Sequence, residues 1–379
     1  MLAQILAALA LAIWLYLLLA RGGFWLSSQR DDGKPAPLPA WPKLAVVIPA
    51  RDEADGIAAC IGSLLRQDYA GEWSITLVDD GSTDGTADIA RQAAAAAGAG
   101  RRLEVVAGTP LPAGWTGKLW ALAQGIEAAG RLKPDYFLLS DADIVYAPDV
   151  LSRLAARAQA GGLVLTSLMV KLRCESLAER ALIPAFIFFF EMLYPFAWIN
   201  RPHAATAGAA GGCMLVRADK LRQAGGIAAI HNALIDDCAL AAILKTQGPI
   251  WLGLTQQAHS IRAYPGFDDI RRMVARSAYA QLRYSPLILA GVLAGMGLTY
   301  LAPPLLALFG SGAARIMGLA AWLLMAIAFQ PVLRFYRVSP LWGVALPAIA
   351  FCYTLFTLDS GLQYWRGKGG LWKGRVQAG

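Results

Sequence analysis

Three pairs of acids in this 379-residue chain have the types and spacing to do chemistry: Asp79 with Asp80, Asp141 with Asp143, and Asp236 with Asp237. Asp141-Ala142-Asp143 sets two carboxylates one residue apart. Hard oxygen donors in that pattern suit a divalent cation that bridges protein to phosphate. The tripeptide follows the apolar run 136–139 and Ser140, so a short buried strand surfaces with its acids at the carboxyl end, the ligand side of an open α/β sheet. An isolated Asp-x-Asp is more often a polar loop, and its neighbours decide the matter. Asp79-Asp80 ends a second apolar run, 74–78, and is followed by Gly81, Ser82, Thr83 and Asp84. Turn and helix-cap chemistry accounts for those four residues, but two adjacent acids exceed what a cap needs, and carboxylates accept hydrogen bonds from a ribose or a base. Asp236-Asp237 opens an apolar helical run to Leu244. First-turn acids commonly compensate the helix dipole; the alternative is a base that takes a proton from a reacting hydroxyl.

Strands and helices must alternate to position these acids. Leu44-Ala45-Val46-Val47-Ile48 is a continuous apolar run ending at Pro49, as in a parallel strand buried on both faces. The polar turn Ala50-Arg51-Asp52-Glu53 leads into a helix with Ile57, Ile61, Leu64 and Leu65 at helical spacing. Strands are expected over 74–78, 103–107, the run before Asp141, 162–170 and 213–216, with a helix from Lys118 to about Ala129. This βαβα order implies an α/β domain with a mostly parallel sheet. A lone Lys in a glycine loop is usually solvated, yet Gly114-Trp115-Thr116-Gly117-Lys118 at a helix start can reach a phosphate. It lacks P-loop spacing, and no Gly-x-Gly-x-x-Gly follows the first strand, which disfavours a nicotinamide-binding fold. The small residues 204–212, ending in Gly211 and Gly212, make turns or leave room for a substrate beside the backbone.

Composition adds a membrane. Apolar residues are 57% and charged residues 16%, far from ordinary globular usage. Apolar runs long enough to span occur at 2–20, 286–309, 314–333 and 341–364, the first two of them uncharged. The first has no basic n-region and no clear cleavage site. Arg21, Arg30 and Lys34 follow it, which places what comes next on the cytoplasmic side. Segment 181–199 is rich in Phe but interrupted by Pro184, Glu191 and Pro195; it reads as an interfacial helix in preference to a span. The net charge of +8 is not gathered into a nucleic-acid stripe. Arg271, Arg272, Arg276 and Arg283 make 266–285 a basic amphipathic segment, and Arg366, Lys368, Lys373 and Arg375 form the tail, so anionic lipids are the expected partner and nucleic acid is not. Four full spans would leave that tail outside, against the positive-inside rule, and Pro303-Pro304 and Asp359 mark the two weakest spans. Five cysteines without paired spacing and three scattered histidines indicate neither a disulfide framework nor a zinc site. The expected layout is a transmembrane helix and linker over 1–42, a catalytic domain over 43–265, the amphipathic segment 266–285 and a C-terminal membrane region of two or three spans over 286–379.

Taken in order, Val-Ile-Pro-Ala-Arg-Asp-Glu (47–53), Val-Asp-Asp-Gly-Ser-Thr-Asp-Gly-Thr (78–86), Gly-Lys-x-x-Ala-Leu (117–122), Asp-Ala-Asp (141–143) and Asp-Asp-x-x-Leu (236–240) resemble the family 2 glycosyltransferases over about 44–283. Within that family, Gly-Trp-Thr-Gly-Lys-Leu-Trp-Ala-Leu (114–122) and the Phe-rich segment are most similar to the glycosyltransferase associated with bacterial hopanoid biosynthesis. The resemblance implies a GT-A fold. It implies that Pro49, Ala50, Arg51, Glu53, Asp79, Asp80, Lys118 and Asp141 bind a nucleotide-sugar donor, a UDP-sugar. Asp141 and Asp143 would hold Mg or Mn against the diphosphate, and Asp237 would be the general base. Gly211, Gly212, Asp236 and Arg276 would lie at the acceptor or the diphosphate. The Gln/Arg-x-x-Arg-Trp string of processive members is absent; Arg276 or the Arg283-Tyr284 pair would stand in. The implied enzyme sits in the bacterial inner membrane with its catalytic domain cytoplasmic, and moves a sugar with inversion to a lipid, a hopanoid included. Its rivals are a polysaccharide-extending synthase and a non-catalytic membrane scaffold or lipid carrier that keeps the fold.

Overall fold

A computed structural model describes residues 1–33, 38 and 40–367, with the backbone of 371–372 and 375–376. Lys34 and the tail side chains of Lys368, Lys373 and Arg375 lie outside the described residues. The chain forms two compact units. One comprises Met1–Ser28, Cys174–Ala197 and the helices that follow Ala263; the other comprises Gln29–Arg173 and Trp198–Arg262.

The α/β unit is organised on one eight-stranded sheet. Its strands are β1 (Leu44–Ala50), β2 (Trp73–Asp79), β3 (Leu103–Ala107), β4 (Tyr136–Ser140), β5 (Ile144–Tyr146), β6 (Leu165–Lys171), β7 (Cys213–Arg217) and β8 (Ile250–Ser260), in the spatial order β3-β2-β1-β4-β7-β6-β8-β5. β1, β2, β3 and β4 run parallel, and β6 runs parallel to β8; β7 and β5 are antiparallel to their neighbours. All seven residues of β1 are buried, because helices cover both faces of a central parallel strand. One of those helices, Gly117–Gly130, lies so close that a Cβ on Gly125 would stand 2.5 Å from Val47 Cγ1 and 2.9 Å from Val78 Cγ2. Glycine is required there by the close approach of helix to sheet.

Register sets the site. Ala50 pairs with Asp79 and Val47 with Leu139, so the carboxyl ends of β1, β2 and β4 emerge along one edge. β1 is followed outward by β2 and β3, whereas β4 lies on its other side; the resulting switch point between β1 and β4 is where an open α/β sheet opens a crevice for ligands. Asp31, in the Pro-rich stretch before β1, is a buried anchor. Asp31 is 6% exposed, its carboxylate accepts from Arg153 Nε at 3.1 Å and Arg157 at 3.3 Å, and its N–H donates to Leu254. A charged residue in a Pro-rich stretch reads as solvated, and only the fold supplies its two arginines.

Among the described residues, five helices are long and apolar enough to cross a membrane: Leu2–Ala20, Leu177–Ile199, Pro286–Phe309, Gly312–Tyr336 and Trp342–Trp365. The Phe-rich helix starts at a capping box in which Ser176 and Glu179 exchange bonds with each other's backbone, an arrangement that satisfies two of the N–H groups a helix start leaves open. Its central acid, Glu191, is buried and accepts a hydrogen bond from Ser27 Oγ at 2.9 Å. In Pro286–Phe309 a π-turn, Gly297–Leu301, precedes Pro303. Pro303 has no N–H for the carbonyl of Thr299; Trp14 Nε1 supplies that bond at 2.8 Å. Asp359, in the last long helix, pairs with Arg271 of the amphipathic helix Phe267–Ala275, as an acid within an apolar helix requires.

Candidate active site

The loops after β1 and β2 are stitched together. Asp80 N–H donates to the carbonyl of Ala50, Asp52 N–H to Ser82 Oγ at 3.0 Å, Glu53 N–H to Thr86 Oγ1 at 2.9 Å and Ala54 N–H to Asp84 Oδ2 at 2.9 Å. Thus Ser82 and Asp84, which have the chemistry of helix caps, brace the neighbouring loop, and Pro49 and Ala50 complete the strand that carries it. The two acids of the Asp79-Asp80 pair do different things. Asp79 Oδ1 accepts Ser82 N–H at 3.2 Å and closes a turn. Asp80 is 3% exposed, with Arg51 Nη1 donating to its carbonyl and lying 3.6 Å from Oδ2. Asp80, Gly81, Gly108, Thr109, Pro110 and Leu111 line a cavity of about 450 Å³.

Asp141 and Asp143 are turned to different partners. Asp141 Oδ1 meets Lys118 Nζ at 3.0 Å, and the same nitrogen meets Asp236 Oδ2 at 3.1 Å. Lys118 sits one residue into its helix, so the helix start delivers the ammonium group to the cleft. Burial alone would lower the Lys118 pKa; Asp141 and Asp236 outweigh it and hold the group well above its ordinary value. Burial pushes the Asp141 carboxyl up against the pull of Lys118, although at 36% side-chain exposure water moderates that push. Asp143 is far less exposed, and its Oδ2 accepts from Ser260 Oγ at 2.7 Å and Arg262 Nε at 3.1 Å. Arg262 also reaches both oxygens of Glu53, at 2.8 and 2.9 Å.

Asp237 lies beside the Lys118 pair. Its Oδ2 accepts Gly211 N–H at 3.0 Å and its Oδ1 accepts Cys238 N–H at 2.7 Å. Each carboxylate oxygen has two acceptor sites, so a further lone pair stays open on both. Burial, then the charge of Asp236, raises the Asp237 pKa from its ordinary 3.8 to about 6, against the opposing pull of Lys118. That is close to the working range of a general base. A Cβ on Gly211 would stand 3.3 Å from Lys118 Nζ and 3.5 Å from Asp237 Oδ2, so only a residue without one leaves that corner of the cleft open. Gly212 plays a packing part: its carbonyl accepts from the buried Tyr146 hydroxyl at 3.1 Å, and that hydroxyl shares a 2.7 Å bond with Ser140.

The α/β unit therefore brings together Glu53, Lys118, Asp141, Asp143, Asp236 and Asp237, with Arg51 and Asp80 along the same edge. Arg276 is exposed at the end of helix Phe267–Ala275 in the helical unit. Ser260 and Arg262 are missing from the sequence reading because β8 is missing from it. The signal was the run Ile250-Trp251-Leu252-Gly253-Leu254 followed by Ala258 and Ser260 facing inward at alternate positions.

Among the described residues no three His, Cys, Asp or Glu side chains are grouped to hold a metal ion. Two carboxylates one residue apart nevertheless suit a hard cation whose remaining ligands come from a diphosphate and water, the usual habit of Mg. Because Ser260 and Arg262 both engage Oδ2 of Asp143, Oδ1 is the oxygen left open to a cation.

The sheet order and the placement of the acids define a GT-A fold. A mannosyltransferase from Pyrobaculum calidifontis, solved in complex with GDP-Man and Mn2+, matches over 95% of this chain and 99% of its own, with a TM-score of 0.57 at 18% identity. Assignment to glycosyltransferase family 2 is supported by the model of Glycosyl transferase family 2, which matches residues 45–225. Two N-acetylglucosaminyltransferases are similar in sequence. That of Mesorhizobium japonicum is 34% identical over 158 residues, 39% of this chain and 34% of the relative. That of Rhizobium leguminosarum bv. viciae is 37% identical over 115 residues, 30% and 25% respectively. The chain thus aligns with about a third or less of each curated relative.

Proposed function

We propose that this protein is a membrane-bound, metal-dependent, inverting glycosyltransferase that moves a sugar from a nucleoside-diphosphate donor to a lipid hydroxyl at the cytoplasmic face of the bacterial inner membrane. The observation that carries the reading is one ammonium group, Lys118 Nζ, lying 3.0 Å from Asp141 and 3.1 Å from Asp236, which sets an Asp-Ala-Asp donor site next to a candidate base. The family match supports nucleotide-sugar chemistry. Five apolar helices long enough to span support a membrane and hence a lipid acceptor.

In this reading Asp80 and Arg51 border the nucleoside, Glu53 and Lys118 help seat the donor, and Asp141 and Asp143 hold Mg or Mn at the diphosphate. The bound ion supplies positive charge against the leaving nucleoside diphosphate. Asp237 Oδ accepts the proton of the acceptor hydroxyl as that oxygen bonds to the anomeric carbon; the bond to the diphosphate oxygen breaks from the opposite face, and the configuration inverts. Gly211 leaves room for the acceptor, Asp236 raises the basicity of its neighbour, and Arg276 is the candidate arginine for the departing diphosphate. The donor is proposed to be a UDP-sugar, and the names of the two relatives put N-acetylglucosamine first among the sugars. A hopanoid is the acceptor that the resemblance of 114–122 favours, and anionic lipid is the proposed partner of the exposed Arg276 and Arg283. The test is transfer of labelled sugar from a nucleotide donor into extracted lipid by the purified full chain with Mn2+; no transfer from any donor would overturn it.

A further inference from the structure

Arg262 is unlike the other cations of the cleft. It belongs to no motif, it stands two residues beyond the end of β8, and its guanidinium joins two carboxylates carried by different strands. Glu53 follows β1 and Asp143 follows β4, so the bridge crosses the switch point itself. Of the side chains described above along the acid-bearing edge, eight carboxylates (Glu53, Asp79, Asp80, Asp84, Asp141, Asp143, Asp236, Asp237) stand against three cations (Arg51, Lys118, Arg262).

Such an excess of acid attracts a bare divalent ion but repels a nucleoside diphosphate, which carries roughly three negative charges at neutral pH. Even the ion and the diphosphate together remain anionic. We propose that Arg262 is a positioning residue of the donor site: by tying Glu53 to Asp143 it offsets the charge of the cleft, so that the cleft takes a divalent ion together with a diphosphate in preference to the ion alone. A guanidinium suits the task because it stays charged and spans two carboxylates with separate N–H groups. Ser260 completes the arrangement by sharing Oδ2 of Asp143 with Arg262, which fixes the carboxylate's attitude. Partners of this kind beside a metal-binding carboxylate typically change metal affinity or activity 10–100-fold.

Two effects oppose each other when Arg262 is removed. Asp143 loses an orienting partner, which weakens any ligand there. It also loses a neighbouring positive charge, which strengthens a bare cation and weakens an anion. The second effect makes the outcome depend on the ligand, and a purely structural role has no such dependence.

The inference rests on the donor-site reading above, and the experiment separates the two. Binding of Mn2+ alone, and of UDP and GDP at saturating Mn2+, is measured by titration calorimetry on the detergent-solubilised full chain. In Arg262→Gln the better-bound nucleotide is expected to bind about tenfold more weakly, while Mn2+ alone binds as tightly as in the wild type or more tightly. Arg262→Lys keeps the charge without the span, and is expected within about threefold of the wild type for the nucleotide; it also carries the test if the Gln variant does not fold. Nucleotide affinity unchanged in Arg262→Gln, an equal loss for Mn2+ and nucleotide, or a loss in Arg262→Lys as large as that in Gln each overturns the inference. A wild-type protein that binds neither nucleotide with Mn2+ instead overturns the donor-site reading, and the inference with it.

Discussion

The pH dependence of transfer follows from the surroundings of Asp237. The base works only as a carboxylate, and burial together with Asp236 raises its pKa to about 6. Protonation on going below that value therefore removes activity, and the rate falls about tenfold for each further pH unit. Between pH 7 and pH 5 the ionised fraction drops from roughly nine-tenths to roughly one-tenth, so kcat should fall about tenfold. A base at the ordinary value of 3.8 would lose less than about a tenth over the same interval. Asp236→Asn is the informative perturbation. It removes the second of the two raising effects and leaves burial in place, so the acid limb moves to lower pH without reaching that of an exposed aspartate. The assay is release of nucleoside diphosphate at saturating donor and Mn2+ from pH 4.5 to 8, with Asp236→Asn alongside the wild type. Saturation keeps protonation of Asp141, which acts on donor binding, out of kcat. A wild-type kcat that is flat from pH 5 to 7, or a limb that Asp236→Asn leaves in place, would refute the assignment of Asp237.

Lys118→Met should move the same limb the other way, to higher pH, because Lys118 is the group that pulls the Asp237 pKa down; a limb displaced to lower pH would contradict the geometry. It should also weaken donor binding, read as a rise in donor KM. Gly125→Ala tests the packing beneath the site. The added methyl meets Val47 and Val78 at under 3 Å, an overpacking that costs about 1–3 kcal/mol and should appear as a lowered Tm in detergent, with no change in the pH limb of the protein that remains folded.

The strands β1, β2 and β4, which lead into the acids, were legible because each is a largely apolar run, and such runs report burial on both faces. They fall within a residue or two of their expected limits, as do β7 and the half-exposed β3. β8 was not legible. Its outer half alternates Gln256 and His259 with Ala258 and Ser260, a half-exposed pattern that resembles a polar loop, and with it went Ser260 and Arg262. The three-residue β5 follows Asp143 directly and is specified by pairing with β8, which no local pattern announces. The acids themselves were visible by type and spacing, but their partners were not. Lys118 is 23 residues from Asp141 and 118 from Asp236 along the chain, so only the fold shows that one ammonium serves both. The capping box at Ser176 and Glu179 was present as Ser-x-x-Glu before an apolar run, a signature with a local mechanism.

The most direct measurement is mass spectrometry of lipid extracts incubated with the purified protein, Mn2+ and nucleotide sugars, comparing the wild type with Asp237→Asn. The account predicts a lipid heavier by one sugar with the wild type and its loss in the variant, with donor affinity retained. Transfer that survives in Asp237→Asn, or a wild-type protein that binds a nucleotide sugar yet modifies no lipid, would contradict it.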